Sequence, residues 1–553
     1  MDRRQRVFAC LLGLELAWGS WFIWRTSFEA LGTRTFCLFD DAMISMTYAR
    51  NFVEGFGLNW ARFGSPVEGF THPLWLAIMV LAHLLPIDRL QVSLIVQSLS
   101  LALLLVNVAV VRKLLEVHFV PSPEHGLSRW LPAAALTASY YPLNHWALQG
   151  MESALQALLV LLAVYLTLEV ARMGGGSQAR GMFLRLGGVL GLAYLLRMDL
   201  LLLAIGCLGF LAWHHRGLDH RCWVRLVLPL AIAIVGYQIF RWSYFGEPLP
   251  NTYYLKLEGY PLEIRLLRGL WSFSTFFFRP AALGLLTILV TALPVLRVER
   301  SARLLVAVFG LFGGYSIYVG GDVWEAAGIG ANRFICFAVP LLFVLGNRAL
   351  GYWREHGSPP LRRLLTHPSA VLALTLAGFA SFNGLLVAQP DAAWSRLLLL
   401  DPPLHVPEHR RFTRLVLGLE QSELVDPDAR VAVVWAGLTA YFTRWEMVDL
   451  MGYNERWIAR QPVIEALSSD TYRNYLPGHL KAAHQYVLDT YRPDLVLQFW
   501  GLPEEREREL LQQSGYTRRA RFWLREDSAK VRIRRFNLTP GELEALGARE
   551  PTS

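Results

Sequence analysis

Val7-Phe8-Ala9-Cys10-Leu11-Leu12-Gly13-Leu14-Glu15-Leu16-Ala17-Trp18-Gly19-Ser20-Trp21-Phe22-Ile23-Trp24 is apolar along its length apart from Glu15, and a polar stretch later comes Phe39-Asp40-Asp41-Ala42-Met43-Ile44-Ser45. The first run has close to the ~20 residues a membrane-crossing helix needs. Two adjacent carboxylates just beyond such a span cost solvation energy and gain nothing from packing. They point instead to proton transfer or cation binding. Adjacent residues on a helix project about 100° apart, so Asp40 and Asp41 cannot form one symmetric dyad. A division of labour is expected: one carboxylate takes a proton, and the other binds a cation or positions the first.

The rest of the chain extends the membrane reading. Its 553 residues are 54% hydrophobic and only 18% charged, unlike a soluble protein of this length. The apolar runs are confined to residues 1–387, and 388–553 has a soluble texture. The expectation is a polytopic α-helical membrane domain over 1–387, with a first external loop at 25–91, followed by a soluble α/β domain over 388–553. The net charge of +9 comes from arginine, since lysine occurs only at 113, 256, 481 and 530. Basic clusters such as Arg112-Lys113 and Arg362-Arg363 follow apolar runs, which reads as membrane topology and not as a nucleic-acid surface. Met1 to Arg6 lacks a following small-residue cleavage site and reads as the flank of a retained anchor. The five cysteines have no metal-ligand spacing; Cys10, Cys207 and Cys336, set in apolar runs, are expected to be core thiols.

Candidate spans are 7–24, 92–111, 130–149, 153–170, 183–197, 199–213, 223–241, 280–296, 303–319, 333–347 and 368–387, about eleven helices. Pro73 to Pro86 is apolar but too short to cross and is read as interfacial. With arginine-rich loops inside, the opposite face receives 25–91, the turns at 149–153 and 197–199, 242–279, 320–332 and the tail. In the first loop Tyr48 to Gly55 predicts a short helix ended by glycine. In the tail, Arg430 to Trp435 and Pro493 to Gln498 read as buried strands, with helices at 405–421, 455–467 and 503–514.

Unusual polar residues collect on that face. Glu68 and His72 flank the helix start made by Pro73 and can line a polar site or serve as an interfacial cap. Glu152, between two spans, is expensive unless it binds something or caps the next helix. Arg197-Met198-Asp199 suits either a binding site or a structural ion pair. Pro248-Leu249-Pro250 fixes an extended approach that presents Asn251, Tyr253 and Lys256, and the Lys256 ammonium suits a lipid phosphate or simple snorkelling. Gly320-Gly321-Asp322 with Asn332-Arg333 adds a further acidic and basic pair, its arginine also suited to phosphate. No Walker loop, dinucleotide glycine fingerprint, zinc spacing or Gly-x-Ser-x-Gly elbow occurs, which disfavours ATP-driven pumps and soluble-cofactor enzymes.

The series Phe39-Asp40-Asp41-Ala42, Tyr48-Ala49-Arg50-Asn51, Glu54-Gly55 and Val67-Glu68-Gly69-Phe70-Thr71 resembles the first external loop of terminal β-(1→2)-arabinofuranosyltransferases. These are polytopic GT-C glycosyltransferases of the mycobacterial cell-wall type. Gly150-Met151-Glu152, the 197–199 turn, Leu249 to Tyr253 with Lys256, and Gly320 to Asp322 follow in similar order. So do Asp449 to Asn454, Pro477-Gly478-His479-Leu480-Lys481 and Arg492-Pro493-Asp494 in the tail. The resemblance implies transfer of a sugar, arabinofuranose in that family, from a polyprenyl-phosphate donor to a glycan, glycolipid or glycoprotein hydroxyl. It implies a multi-pass protein of the bacterial cytoplasmic membrane, with its active site and tail on the periplasmic or exterior face and lipid in contact with its spans. Asp40 or Asp41 becomes the catalytic base or its partner. Tyr48, Arg50, Glu68, His72, Glu152, Arg197, Asn251, Tyr253, Lys256, Asp322, Arg333 and His479 become candidate substrate-binding residues. The leaving phosphate is met by Arg, Lys or a divalent cation (Mg, Ca or Mn). Thr47, Met198-Asp199 and His72 depart from the arginine, Arg-Pro-Glu and asparagine usual in such families, which leaves donor sugar and acceptor open. Two other classes compete, a transporter or flippase of lipid-linked sugars and a non-enzymatic envelope assembly protein. A transporter predicts mid-span charges and repeated halves, whereas here the charges cluster at one face.

Overall fold

The computed structural model describes residues 2–62, 64–119, 123–173, 180–215, 219–327, 332–387, 390–403, 405–463, 472–532 and Phe536. Among these, seven helices are long and apolar enough to cross a membrane: Arg3–Thr26 (α1), Val92–Phe119, Ser153–Met173, His220–Phe245, Leu262–Val298, Arg300–Tyr318 and Cys336–His356. Pro359–Thr366 and Pro368–Phe382, bent by 75°, form an eighth if counted as one span. The chain is a multi-pass membrane protein.

The eleven runs expected from sequence differ from these helices where the chain breaks. The 130–149 run splits into Leu131–Ala138 and Tyr141–Leu148, with Pro142 in the first turn of the second helix, where its missing N–H is tolerated. The 183–197 run lies in Arg180–Leu196, a helix of 17 residues. At about 1.5 Å per residue this falls short of the ~30 Å hydrocarbon core. The 199–213 run is likewise a shorter apolar helix, Met198–His214. The 242–279 segment, expected as an external loop, instead carries a short helix, Asn251–Lys256, and a longer one that starts at Leu262 and runs through a π-helical stretch, Phe273–Phe278, into Arg279–Val298.

The chain packs as two compact units. The first comprises Met1–Phe22, Ser98–Tyr237 and Leu266–Asp401 and is helical, with Trp130, Trp146, Phe183 and Phe312 fully buried. Cys207 and Cys336 are buried as expected, but Cys10 is exposed. Only 22% of the apolar window of α1 is buried within the protein, so an apolar run here does not imply an interior position.

The second unit comprises Ile23–Gln97, Gln238–Arg265 and Pro402–Ser553. It opens with a hairpin of Phe28–Ala30 (β1) and Thr33–Thr35 (β2). Next come the helices Asp40–Val53 (α2) and Pro73–His83 (α3). Helix α2 begins earlier than its sequence signal at Tyr48, because Phe39 is extended and two carboxylates occupy the first turn, favourable at a helix N-terminus. It ends at the expected glycine, Gly55, whose φ of +90° suits a residue without Cβ.

The tail supplies a mixed sheet of Arg430–Val433 (β3), Glu446–Asp449 (β4), Leu495–Val496 (β5), Tyr516–Arg519 (β6) and Phe522–Arg525 (β7), in the order β4-β3-β5-β7-β6. β3 runs parallel to β4 and β5, while β7 is antiparallel to β5 and β6. Helices Val406–Gln421 and Glu504–Gln513 match their expectations. The 455–467 helix is reduced to Arg456–Ala459, and residues 464–467 lie outside the described residues. Of the tail aromatics, Tyr441 and Trp445 are core, whereas Trp457 is exposed.

Candidate functional site

The two aspartates of α2 have different environments. Asp40 Oδ1 accepts the main-chain N–H of Leu438 at 2.8 Å, and Oδ2 accepts that of Gly437 at 3.3 Å. These amides open the Leu438–Phe442 helix, so the Asp40 carboxyl caps a tail element. Burial pushes the Asp40 carboxyl up to about 7, against the lowering effect of the Leu438 amide; the Asp41 charge adds to the rise.

Asp41 instead exerts its charge on His405 and His409. Burial lowers both imidazoles, His409 to about 3, so His409 is neutral near pH 7. The two rings stack with centroids 6.1 Å apart, Phe39 packs against both, and Trp435 meets His409 edge-on at 5.5 Å. His405 holds φ +67°, a left-handed conformation uncommon outside glycine and often retained where function demands it. Sequence reading missed both histidines. Their i,i+4 spacing on a helix expected at 405–421 was the available signal.

The turn after β4 links the other candidates of this unit. Asp449 accepts main-chain N–H groups from Met451 (2.8 Å), Gly452 (3.2 Å) and Asn454 (2.8 Å), plus the Asn454 side-chain amide. Burial raises Asp449 to about 6, opposed first by the Asn454 amide. The Tyr48 hydroxyl lies 2.6 Å from the Val67 carbonyl and 3.0 Å from Asn454 Oδ1, and it accepts the Gly69 N–H. Asn251 Nδ2 donates to the Gly452 and Tyr453 carbonyls at 2.8 and 2.9 Å. The Lys256 ammonium stands 5.1 Å over the Tyr453 ring, and the His479 ring is 6.3 Å from the same tyrosine. Tyr253 is exposed. Beside this turn lies a recess of about 260 Å³ lined by Asn59, Trp60, Val67, Asp449, Asn454, Glu455 and Tyr491.

Three first-loop candidates have specific structural partners. Glu68 is buried against Arg241, with Nε to Oε2 at 2.6 Å. His72 Nε2 is 2.7 Å from Ser45 Oγ. Arg50 donates to the Thr443 carbonyl at 3.1 Å and to Asn51 Oδ1 at 2.9 Å, clamping α2 to the tail.

The remaining candidates lie in the first unit. Arg197 bonds Glu152 at 2.8 Å and both Asp199 oxygens at 2.9 and 3.0 Å. Arg333 grips Asp322 bidentately at 2.7 and 2.8 Å and stands 5.2 Å over the Trp146 ring. Arg333, offered for phosphate, is thus engaged by a carboxylate, and the Arg197 turn holds an ion pair. Sequence reading missed a third buried pair, Arg268 and Glu325 at 3.2 Å, because its members are far apart in sequence. Among the described residues no group of three or more His, Cys, Asp or Glu is arranged as metal ligands.

A family model described as "Domain of unknown function (DUF8728)" matches residues 408–539. No curated protein matches the chain. Among solved structures, the oligosaccharyltransferase of Archaeoglobus fulgidus in its apo form is similar with a TM-score of 0.51 and 13% identity, over 88% of this chain and 69% of that one. ArnT from Cupriavidus metallidurans in the apo state is similar with a TM-score of 0.50 and 12% identity, over 82% of this chain and 87% of that one. At such identities the likeness is one of fold, shared with these two proteins.

Proposed function

We propose that this chain is a GT-C glycosyltransferase that moves a sugar from a polyprenyl-phosphate donor to an acceptor hydroxyl, with Asp41 as the general base. The carrying observation is the unequal setting of the carboxylate pair: Asp40 accepts the Gly437 and Leu438 amides, whereas the Asp41 charge acts on the His405–His409 pair. In this reading Asp41 takes the acceptor O–H proton, the acceptor oxygen bonds to the anomeric carbon, and the bond from that carbon to the phosphate oxygen breaks. Polyprenyl phosphate departs with the electron pair. Asp40 is a positioning residue that ties the first turn of α2 to the tail. Lys256, held against Tyr453, is assigned to the donor phosphate. The recess beside Asp449 and Trp60 is assigned to the acceptor.

Arabinofuranose is the donor sugar proposed, on the resemblance of the first-loop and tail motifs. The reading carries with it a bacterial cytoplasmic membrane location, with Asp41 and the tail on the exterior face. Glu152–Arg197–Asp199 and Asp322–Arg333 are assigned to holding their own unit together, because their guanidinium groups already have carboxylate partners.

The test is a transfer assay on the purified full chain with a panel of synthetic polyprenyl-phosphate sugars. Asp41→Asn is expected to lose turnover while retaining donor binding. Undiminished transfer by Asp41→Asn would sink the assignment. Transfer from a sugar other than arabinofuranose would overturn the donor alone.

A further inference from the structure

In the second unit, four arginines surround one open recess of about 310 Å³: Arg25 from the last turn of α1, Arg34 from β2, and Arg410 and Arg414 from the 406–421 helix. The recess is also lined by Trp24, Phe28 and Glu29. Four like charges around a shared space repel one another unless an anion joins them. Aromatic faces supply part of the compensation. Arg34 stands 3.8 Å over the Trp24 ring, and Arg410 and Arg414 stand 5.9 and 5.8 Å from the Phe28 ring centroid. Arg414 also donates to the Glu29 carbonyl at 2.7 Å.

Carboxylates do not complete the compensation. Among the described residues none lies within ion-pair distance of Arg34, Arg410 or Arg414, although Glu29 sits opposite Arg34 in the β1–β2 register. The Nε groups of Arg34 and Arg410 are buried with no hydrogen-bond partner in the structure. Arg410 is held below the usual arginine range by burial and by its three arginine neighbours. Buried donors lacking a partner are costly, so such a cluster persists where a ligand supplies the acceptors.

The position narrows the ligand. Trp24 and Arg25 close α1, a helix apolar enough to cross a membrane, and Trp21 and Trp24 are about half exposed there. Exposed tryptophans at a span end mark the headgroup layer. We infer that the Arg25–Arg34–Arg410–Arg414 recess is a phosphate site that holds the headgroup of an anionic membrane phospholipid, separate from the Asp41 centre. Guanidinium groups suit phosphate oxygens because each presents paired N–H donors.

Native mass spectrometry of the detergent-solubilised full chain, titrated with phosphatidylglycerol, phosphatidylcholine or inorganic phosphate, tests this. Phosphatidylglycerol is expected to bind the wild type tighter than either comparison ligand. In Arg34→Gln/Arg410→Gln its affinity should fall roughly thirtyfold, and in Arg34→Gln alone, a change on the surface hairpin that spares the helix, about fivefold. Arg34→Lys/Arg410→Lys should retain most of the binding. Unchanged phosphatidylglycerol affinity in either glutamine variant overturns the site. Equal binding of phosphatidylcholine removes the requirement for an anion, and equal binding of inorganic phosphate removes the lipid.

Discussion

Asp40 of the first loop accepts the main-chain N–H of Leu438 at 2.8 Å, so a carboxylate just beyond the first span caps a short helix of the tail. The bond lies within the second unit and ties residues nearly 400 positions apart (|i−j| of 398). It also makes the Asp40 proton a stability switch. Burial raises the folded carboxyl from 3.8 to about 7, so between those values the folded state holds a proton that the unfolded chain has released. Stability from this group is therefore largest at acid pH and falls as pH rises through about 7. Thermal unfolding in detergent across pH 4 to 8 should show a decline that Asp40→Asn flattens. An unchanged slope in the variant would assign the titration elsewhere.

Asp41→Asn is expected to reduce sugar transfer by roughly 10²–10⁴-fold, the range supplied by a positioned general base. Donor affinity, read by lipid binding to the same preparation, should be unaltered. His409→Gln should leave the pH dependence of kcat near neutrality intact, because the buried imidazole titrates at about 3. A lost basic or acidic limb in that variant would contradict the neutral role.

Gly437 is tied to its size. A Cβ there would collide with the Asp40 main-chain carbonyl, which is backbone and cannot swing away. Gly437→Ala should lower stability by about 1–3 kcal/mol, the usual cost of overpacking, or block assembly of the unit. Protease sensitivity of the tail gives an independent reading, and a variant as resistant as wild type would refute the close approach.

Removing one partner of the buried Glu68–Arg241 pair leaves an uncompensated charge. Arg241→Met is expected to cost about 3–5 kcal/mol, whereas Glu68→Gln/Arg241→Met should recover much of that loss. Arg333→Gln, which strands Asp322 in the first unit, should behave in the same way and be relieved by Asp322→Asn. Single variants as stable as the doubles would show that these pairs carry little.

Local patterns decided much of the chain. Apolar runs marked the candidate membrane spans, buried apolar stretches marked β3 and β5, and Gly55 marked the end of α2, because each depends on near neighbours and hydrophobic period. Span count was less legible, since breaks such as Ser139–Tyr140 and the continuation through Phe273–Phe278 depend on packing as well as composition. The sequence alone identified Asp40 and Asp41 as costly and adjacent residues as unequal in direction. Only tertiary structure assigned Asp40 to the amides of 437–438 and brought the Asp41 charge to bear on His405 and His409, because those interactions join segments separated by hundreds of residues. The same holds for the arginine recess. Arg25, Arg34, Arg410 and Arg414 carry no shared motif in sequence, and their mutual repulsion arises only when folding gathers them around one space.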